Sequence, residues 1–295
     1  MGDLGHEFMM ASGKLQALCY KNEIEKTLRT PNYAGFQLLA LNDYSGQGTA
    51  LVGLLNVFFE EKGYINAPEF RRFCSPTVPL ARIEKFVYKN NETFQANIEV
   101  AHFGKTAIKD ANTTYKITDE WGKVLVKGTL STQDISVGNC FSLGSVKFPL
   151  GSVEKAQKLN LEVAIEGTEA VNDWNFWVYP ETVTLDKGSV YVTDSVDAKA
   201  TEILKNGGNV LLTAARKISY GKDVQQYFTP VFWNTSWFKM RPPHTTGIFV
   251  NNYHPLFKNF LPIITVICNG GNFLTEHRLC SSLISLQISN HWYKA

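Results

Sequence analysis

The chain has 295 residues, 44% hydrophobic and 19% charged, with 29 basic side chains against 27 acidic ones. That composition belongs to a globular protein long enough for more than one core, and a net charge of +2 excludes long-range capture of nucleic acid or an acidic membrane surface. No apolar stretch reaches the ~20 residues of a membrane-spanning helix, and the N-terminus lacks the basic-then-apolar pattern of a secretory signal.

Helical spacing of Leu15, Leu18, Cys19, Ile24 and Leu28 predicts a helix from Lys14 to Arg29, with Ser12 near its start and Thr30-Pro31 ending it. The continuous apolar run Gly35 to Leu41, GFQLLAL, reads as a strand buried on both faces of a parallel sheet. The turn NDYSGQG follows, and Thr49 then caps a second predicted helix, Ala50 to Lys62, closed by Gly63. One strand-turn-helix unit exposes two apolar faces and two unpaired edges, so further chain is expected to complete its sheet.

From Leu80 to Pro180 the period changes to two. Phe94, Ala96, Ile98 and Val100 alternate with Gln95, Asn97, Glu99 and Ala101, and TYKITD, KVLVKGTL, SVKFPL and KLNLEVAIEG follow at intervals of ~10 residues. Short strands at that spacing predict a β-sandwich of immunoglobulin-like type. From Ser189 the pattern is strand (VYVTD), helix (DAKATEILKNGG) and strand (NVLLTA), read as a small doubly wound α/β domain; loop-like sequence with Trp233, Trp237 and RPPHTTG leads on to Phe260.

Asn42, Asp43 and Gln47 are the strongest local candidates for binding. They lie at the C-terminal end of a predicted parallel strand, where βα loops gather and a following helix offers free N–H groups, so Asp43 and Gln47 can hydrogen-bond a sugar hydroxyl. Equally, Asp43 can cap the turn while Gly46 and Gly48 supply backbone angles. GQGTALVG lacks the Lys-Ser/Thr ending of a phosphate loop, and neither it nor DSVDAKA carries a glycine-rich nucleotide cradle.

Glu7, Glu23, Glu25, Glu60 and Glu61 are candidate carboxylates by type alone, most of them read as solvated helical charges. Ser45 lies outside a nucleophile elbow, and His102, His244 and His254 are far apart in sequence. The five cysteines (Cys19, Cys74, Cys140, Cys268, Cys280) are odd in number and form no C-x-x-C pair, so no metal site, disulfide framework or cofactor is expected. Trp174 and Trp177, in WNFWVYP, are candidates for stacking on sugar rings or for joining the sandwich to the next domain. Alternation puts Trp174, Phe176 and Val178 on one face and Asn175, Trp177 and Tyr179 on the other.

ASGKLQALCYKNEIEKTLRTP, GFQLLALNDYSGQGTALVG and PPHTTGIFVNNYHPLFKNF resemble the C-terminal half of β-galactosidase-like proteins of glycoside hydrolase family 2. The likeness runs over about residues 1 to 260 and is most specific at NDYSGQGTALVG. It implies that residues 1–75 end a (β/α)8 barrel whose last strand is Gly35 to Leu41 and last helix Ala50 to Lys62. A sandwich at 80–180 and an α/β domain at 189–260 would follow. The family's two catalytic glutamates would lie before Met1, so no catalytic residue is assigned. Asp43, Gln47 and Asn42 become substrate-side neighbours, with a β-linked glycan as the parent protein's partner and the missing N-terminal part as a further one. The resemblance also implies an exported parent.

Residues 261–295 depart from the family's polar, tryptophan-containing ending. Codons that Phe260 onward permits, read out of phase, give TDYHSDLQWWELFDR, so a frameshift just after Phe260 is expected. The leading expectation is therefore an inactive C-terminal fragment of a β-glycosidase. The alternative is a noncatalytic carbohydrate-binding or scaffold module.

Overall fold

The computed structural model describes residues 5–33, 35–39, 41–46, 52–182, 188–213, 248–249 and 265–266. The chain divides into two compact units, with the change at Glu181 and Thr182. Strands outnumber helices among these residues, most of them in an all-β domain within the first unit.

The first unit opens with helix α1, Gly5–Leu28, which starts well before the expected Lys14 and runs straight through Gly13. Glycine costs a helix interior ~1 kcal/mol relative to alanine. It is required here because a Cβ on Gly13 would sit 2.2 Å from the Tyr64 ring, which packs directly on the helix backbone. The buried stripe of α1 is Ala11, Ala17, Ile24 and Glu25, whereas Leu18, expected inside, is exposed. A short helix α2, Ala67–Arg71, follows with a capping box between Asn66 and Glu69.

Two expected elements between these helices are corrected. Gly35 to Leu41 is not a buried strand over its described part: Phe36, Leu39 and Leu41 face solvent, and Leu39 is 92% exposed. A strand needs a neighbour for its ladder, and the described residues supply only a single bridge from Asn42 to Leu55. Ala50 to Lys62 is not a helix over its described part. Asn56 takes backbone N–H groups that a helix would use, and Gly53 lies against the Asn42–Asp43 backbone, so 55 and 61 pair as an irregular hairpin. No (β/α)8 barrel is present among the described residues.

The all-β domain is made of β1 (Thr77–Ile83), β2 (Val87–Lys89), β3 (Thr93–His102), β4 (Ile108–Ala111), β5 (Thr113–Asp119), β6 (Val124–Thr129), β7 (Gln133–Ile135), β8 (Gly138–Pro149), β9 (Gln157–Ile165) and β10 (Val171–Tyr179). One sheet has the order β1-β3-β8 and the other β2-β10-β9-β5-β6, with β4 and β7 a separate pair. All ladders in the two main sheets are antiparallel except β2 with β10. Period-two alternation explains the core directly. Phe94, Ala96, Ile98 and Val100 of β3 are fully buried and meet Leu159, Leu161 and Val163 of β9 and Phe176 and Val178 of β10. Phe94 and Phe176 stack with centroids 4.0 Å apart, and Tyr88 meets both rings edge-on.

The outer face of β1 is covered as well. Val78 and Leu80, with Ala101 of β3, pack under Leu28 of α1, which is why β1 reads as a run of buried residues instead of an alternation.

In the second unit, β11 (Tyr191–Thr193), helix α3 (Ala198–Lys205) and β12 (Val210–Leu212) form a strand-helix-strand segment with the two strands parallel. Asp197 caps α3 through Ala200 N–H at 2.6 Å, and Gly207, at positive φ, ends it. β13 (Ile248–Phe249) and β14 (Thr265–Val266) form a short antiparallel ladder. Gln47, Trp233, Trp237, His244, His254, Cys268, Cys280 and the remainder of the 261–295 tail lie outside the described residues.

Candidate functional site

Asp43 is buried, as a ligand-orienting carboxylate would be, but its oxygens are already committed. Oδ1 accepts from Gly53 N–H at 2.8 Å, and Lys62 Nζ lies 2.8 Å from both carboxylate oxygens while also donating to Gly53 O at 2.7 Å. The Asp43 N–H donates to Leu55 O at 3.0 Å. Asp43 thus staples residues 41–46 to 53–62, the turn-capping alternative for this residue. Asn42 is half-buried, bridges Leu55 and turns its Nδ2 to Asp43 O, so it too serves the local backbone.

Tyr64 ties this staple to α1. Its hydroxyl meets Gln16 Oε1 at 2.7 Å and Gly53 O at 3.1 Å, while Gln16 Nε2 donates to Val52 O. Burial, then the nearby Asp43 charge and Tyr20, push the phenol up to about 12. Such a phenol holds its proton and acts as a hydrogen-bond donor.

The densest buried polar cluster lies where α1 meets β10, and it contains one residue singled out in the sequence, Trp174, and one read there as a solvated charge, Glu25. The Glu25 carboxylate is 3% exposed. It accepts from Asn172 Nδ2 at 2.8 Å and from Trp174 Nε1 at 3.0 Å, and it faces Lys21 Nζ at 2.9 Å and Arg29 at 4.0 Å. Lys21 also donates to Asn172 Oδ1 and lies over the rings of Trp174 and Phe73 at 5.1 and 5.3 Å. Asn172 Nδ2 reaches Pro79 O at 2.9 Å, joining β1 to the same cluster. Every polar group here has a partner, so the cluster fastens the helix to the sandwich and offers no open coordination to a ligand. Glu25 was hard to identify from sequence because its partner Asn172 is 147 residues away.

The C-terminus of α1 is held in the same manner. Asn139 Nδ2 donates to Leu28 O and Thr30 O, each at 2.9 Å, Arg82 donates to Arg29 O at 3.0 Å, and Arg29 donates to Ala81 O at 2.6 Å. Helix carbonyls left without intrahelical partners are therefore satisfied by strand residues. Arg72, just after α2, pairs with Asp173 at 2.9 Å and Glu162 at 3.4 Å. Burial works against its charge, but these two carboxylates outweigh it and hold the guanidinium above its ordinary pKa.

Trp177 is 3% exposed, on the face of β10 opposite Phe176, and its Nε1 has no hydrogen-bond partner among the described residues. Trp174 is also buried, so neither ring presents a face for sugar stacking. Trp174 joins the sandwich to the preceding helix through Glu25. His102 is satisfied on both nitrogens, by Thr77 Oγ1 at 2.7 Å and Thr106 O at 2.8 Å. Cys19, Cys74 and Cys140 are free thiols; burial pushes Cys19 and Cys74 up, with Glu23 adding to the effect at Cys19. No His/Cys/Asp/Glu group with metal-binding geometry occurs among the described residues, and no described helix is long and apolar enough to cross a membrane.

Comparison with known proteins gives two family matches, each to a domain of unknown function: DUF8488 over residues 92–180 and DUF8487 over residues 191–263. A search among curated proteins finds no match. Among solved structures, the CARDB domain of the PF1109 protein from Pyrococcus furiosus is similar at 12% identity and a TM-score of 0.27, over 36% of this chain and 94% of that one. A β-glucuronidase from Parabacteroides merdae is similar at 16% identity and a TM-score of 0.24, over 33% of this chain and 13% of that one. A family 123 glycoside hydrolase from Clostridium perfringens shows 6% identity and a TM-score of 0.26, over 40% of this chain and 30% of that one. This chain is thus similar in sequence to two uncharacterised domain families, and TM-scores this low establish no shared activity with any of the solved proteins.

Proposed function

We propose that this chain is the C-terminal portion of a β-glycosidase of the family 2 kind, inactive alone because none of its residues matches either catalytic glutamate of that family. In this reading residues 1–75 are the end of a (β/α)8 barrel, the all-β domain is an immunoglobulin-like sandwich, and 189–260 is a small doubly wound domain. The parent's partner is a β-linked glycan. Beside the sequence resemblance, one observation carries the proposal. The run assigned to the last barrel strand, Gly35 to Leu41, is strongly apolar, yet Phe36, Leu39 and Leu41 are exposed, and Gly35–Leu39 makes no backbone hydrogen bond among the described residues. That is how a strand built for two-sided burial stands when its sheet is not there. Purified chain assayed with chromogenic β-galactoside, β-mannoside and β-glucuronide should give background rates; appreciable turnover overturns the proposal. Sequencing the coding DNA tests the frameshift after Phe260, which is abandoned if no single-base change restores a family-like frame.

A second reading, a noncatalytic carbohydrate-binding module, is favoured by Trp121. This residue is 78% exposed at the tip of the β5–β6 hairpin, where Asp119 Oδ1 accepts from the N–H groups of Trp121 and Lys123 at 3.0 and 2.9 Å. A solvent-facing indole on a turn whose backbone is fixed can stack on a pyranose ring. Calorimetric titration with β-linked oligosaccharides distinguishes the two: saturable binding that disappears in Trp121→Ala selects the module.

A further inference from the structure

The turn from Asn56 to Glu60 is fixed by more bonds than a surface loop needs. Asn56 Oδ1 accepts from Phe58 N–H at 2.8 Å and Glu60 N–H at 3.0 Å, and its Nδ2 donates to Glu60 Oε2 at 2.8 Å. The backbone adds Asn56 N–H to Glu60 O at 2.9 Å and Phe59 N–H to Asn56 O at 3.1 Å. This clamp holds Phe59 at φ 64°, a left-handed conformation unfavourable for a bulky L-residue. The rings it displays, Phe58 and Phe59, are 78% and 66% exposed. Folding gains little from either ring, yet the strain is kept, and strain held in place by surrounding bonds points to a use outside the fold.

Charge narrows what that use is. Glu60 and Glu61 directly follow the rings and are exposed; among the described residues their carboxylates accept from the uncharged Asn56 amide and from Ala67 N–H. The adjacent cation, Lys62, is committed to Asp43.

We infer that residues 56–61 form a preformed aromatic anchor for a separate polypeptide, whose receiving pocket is apolar and rimmed by lysine or arginine. An acid-flanked anchor is repelled by an anionic membrane surface, and two copies meeting anchor to anchor would bring both carboxylate pairs together without counter-charge. A basic rim supplies the opposite charge, and two adjacent aromatic rings carried on a fixed backbone turn are the residue type that dominates binding energy at protein interfaces. The inference does not depend on the glycosidase reading, and absence of hydrolytic activity leaves it intact.

The test is a selection from a random peptide library against the full chain, counter-selected on Phe58→Ser, followed by titration of enriched peptides. The expected peptides combine aliphatic or aromatic residues with lysine or arginine. They should bind at least about tenfold more weakly to Phe58→Ser, consistent with a hot-spot ring, and more weakly as salt is raised. Phe59→Gly supplies a second readout: glycine accepts the left-handed angle, so the thermal midpoint should hold or rise while peptide binding falls. The inference is overturned if no peptide is enriched over the variant or if the enriched peptides lack basic residues. Partition of the wild-type chain onto phosphatidylserine vesicles through Phe58, or sedimentation showing self-association lost in Phe58→Ser, equally overturns it.

Discussion

The sandwich and the stretch from Tyr33 to Phe59 contain similar apolar side chains and use them in opposite ways. In the sandwich, Phe94, Ile98, Leu161 and Phe176 are sealed between two sheets. In the other stretch, Tyr33, Phe36, Leu39, Leu41, Tyr44, Val52, Phe58 and Phe59 all face water, while a small cluster of Ala17, Leu54 and Tyr64 provides the buried contact with α1. Apolar character alone does not make a core. A second surface of matching period has to close on it, and β3 finds one in β9 and β10 whereas Gly35 to Leu41 does not.

The sharpest way to break the comparison is Phe176→Ala. Emptying a fully buried, stacked ring should cost about 3–5 kcal/mol in a denaturant titration; a loss under about 1 kcal/mol would mean the two regions are equally loose. Glu25→Ala comes next, at about 3 kcal/mol, because it strands Lys21, Asn172 and the Trp174 indole in a buried site. That change should also open α1 to limited proteolysis, which a purely local effect would not do. Gly53→Ala places a Cβ 2.2 Å from the Asn42 carbonyl carbon and should cost about 2 kcal/mol by overpacking, releasing the Asp43 staple.

Smaller effects refine the picture. Tyr64 has its folded-state pKa raised from 10.0 to about 12. The unfolded chain therefore gives up that proton first, and the stability it contributes is complete below pH 10.0 and lost as pH rises toward 12. The thermal midpoint should fall across that window in the wild type and fall less in Tyr64→Phe. Last, Leu39→Ser should change stability by no more than about 0.5 kcal/mol, while reducing the binding of a hydrophobic dye. A loss of stability comparable to Phe176→Ala would show that Leu39 is buried in solution after all.

Local pattern carried much of this architecture. The two-residue period of Phe94 to Val100 is sufficient to place a strand with one face inward, because side-chain direction in a strand follows from covalent geometry. The helix around Leu15 to Leu28 and the strand-helix-strand from Tyr191 were legible on the same grounds. What misled was Ala50 to Lys62, bracketed by Thr49 and Gly63 as a helix with an N-cap and a closing glycine would be. The Asn56 side chain bonds the backbone N–H groups of Phe58 and Glu60, a local competition with helix that capping signals do not show, and Gly53 admits the Asn42–Asp43 backbone, a neighbour brought in from another turn. The candidate residues fared similarly: Asp43 and Trp174 were noticeable by type and position, but their partners, Lys62 and Glu25, lie 19 and 149 residues away.

By itself, then, the amino-acid order determined which segments alternate and which coil, since these are properties of a few consecutive residues and their dihedral preferences. Only the tertiary structure decided what each apolar or charged side chain does. It turned Glu25 from a surface charge into the buried fastener of α1, used up the carboxylate of Asp43 on Lys62, and left Leu39, Phe58 and Phe59 in water. The physical reason is that burial and ion pairing are fixed by what arrives from distant parts of the chain, and pairings across such separations leave no periodic trace in the sequence.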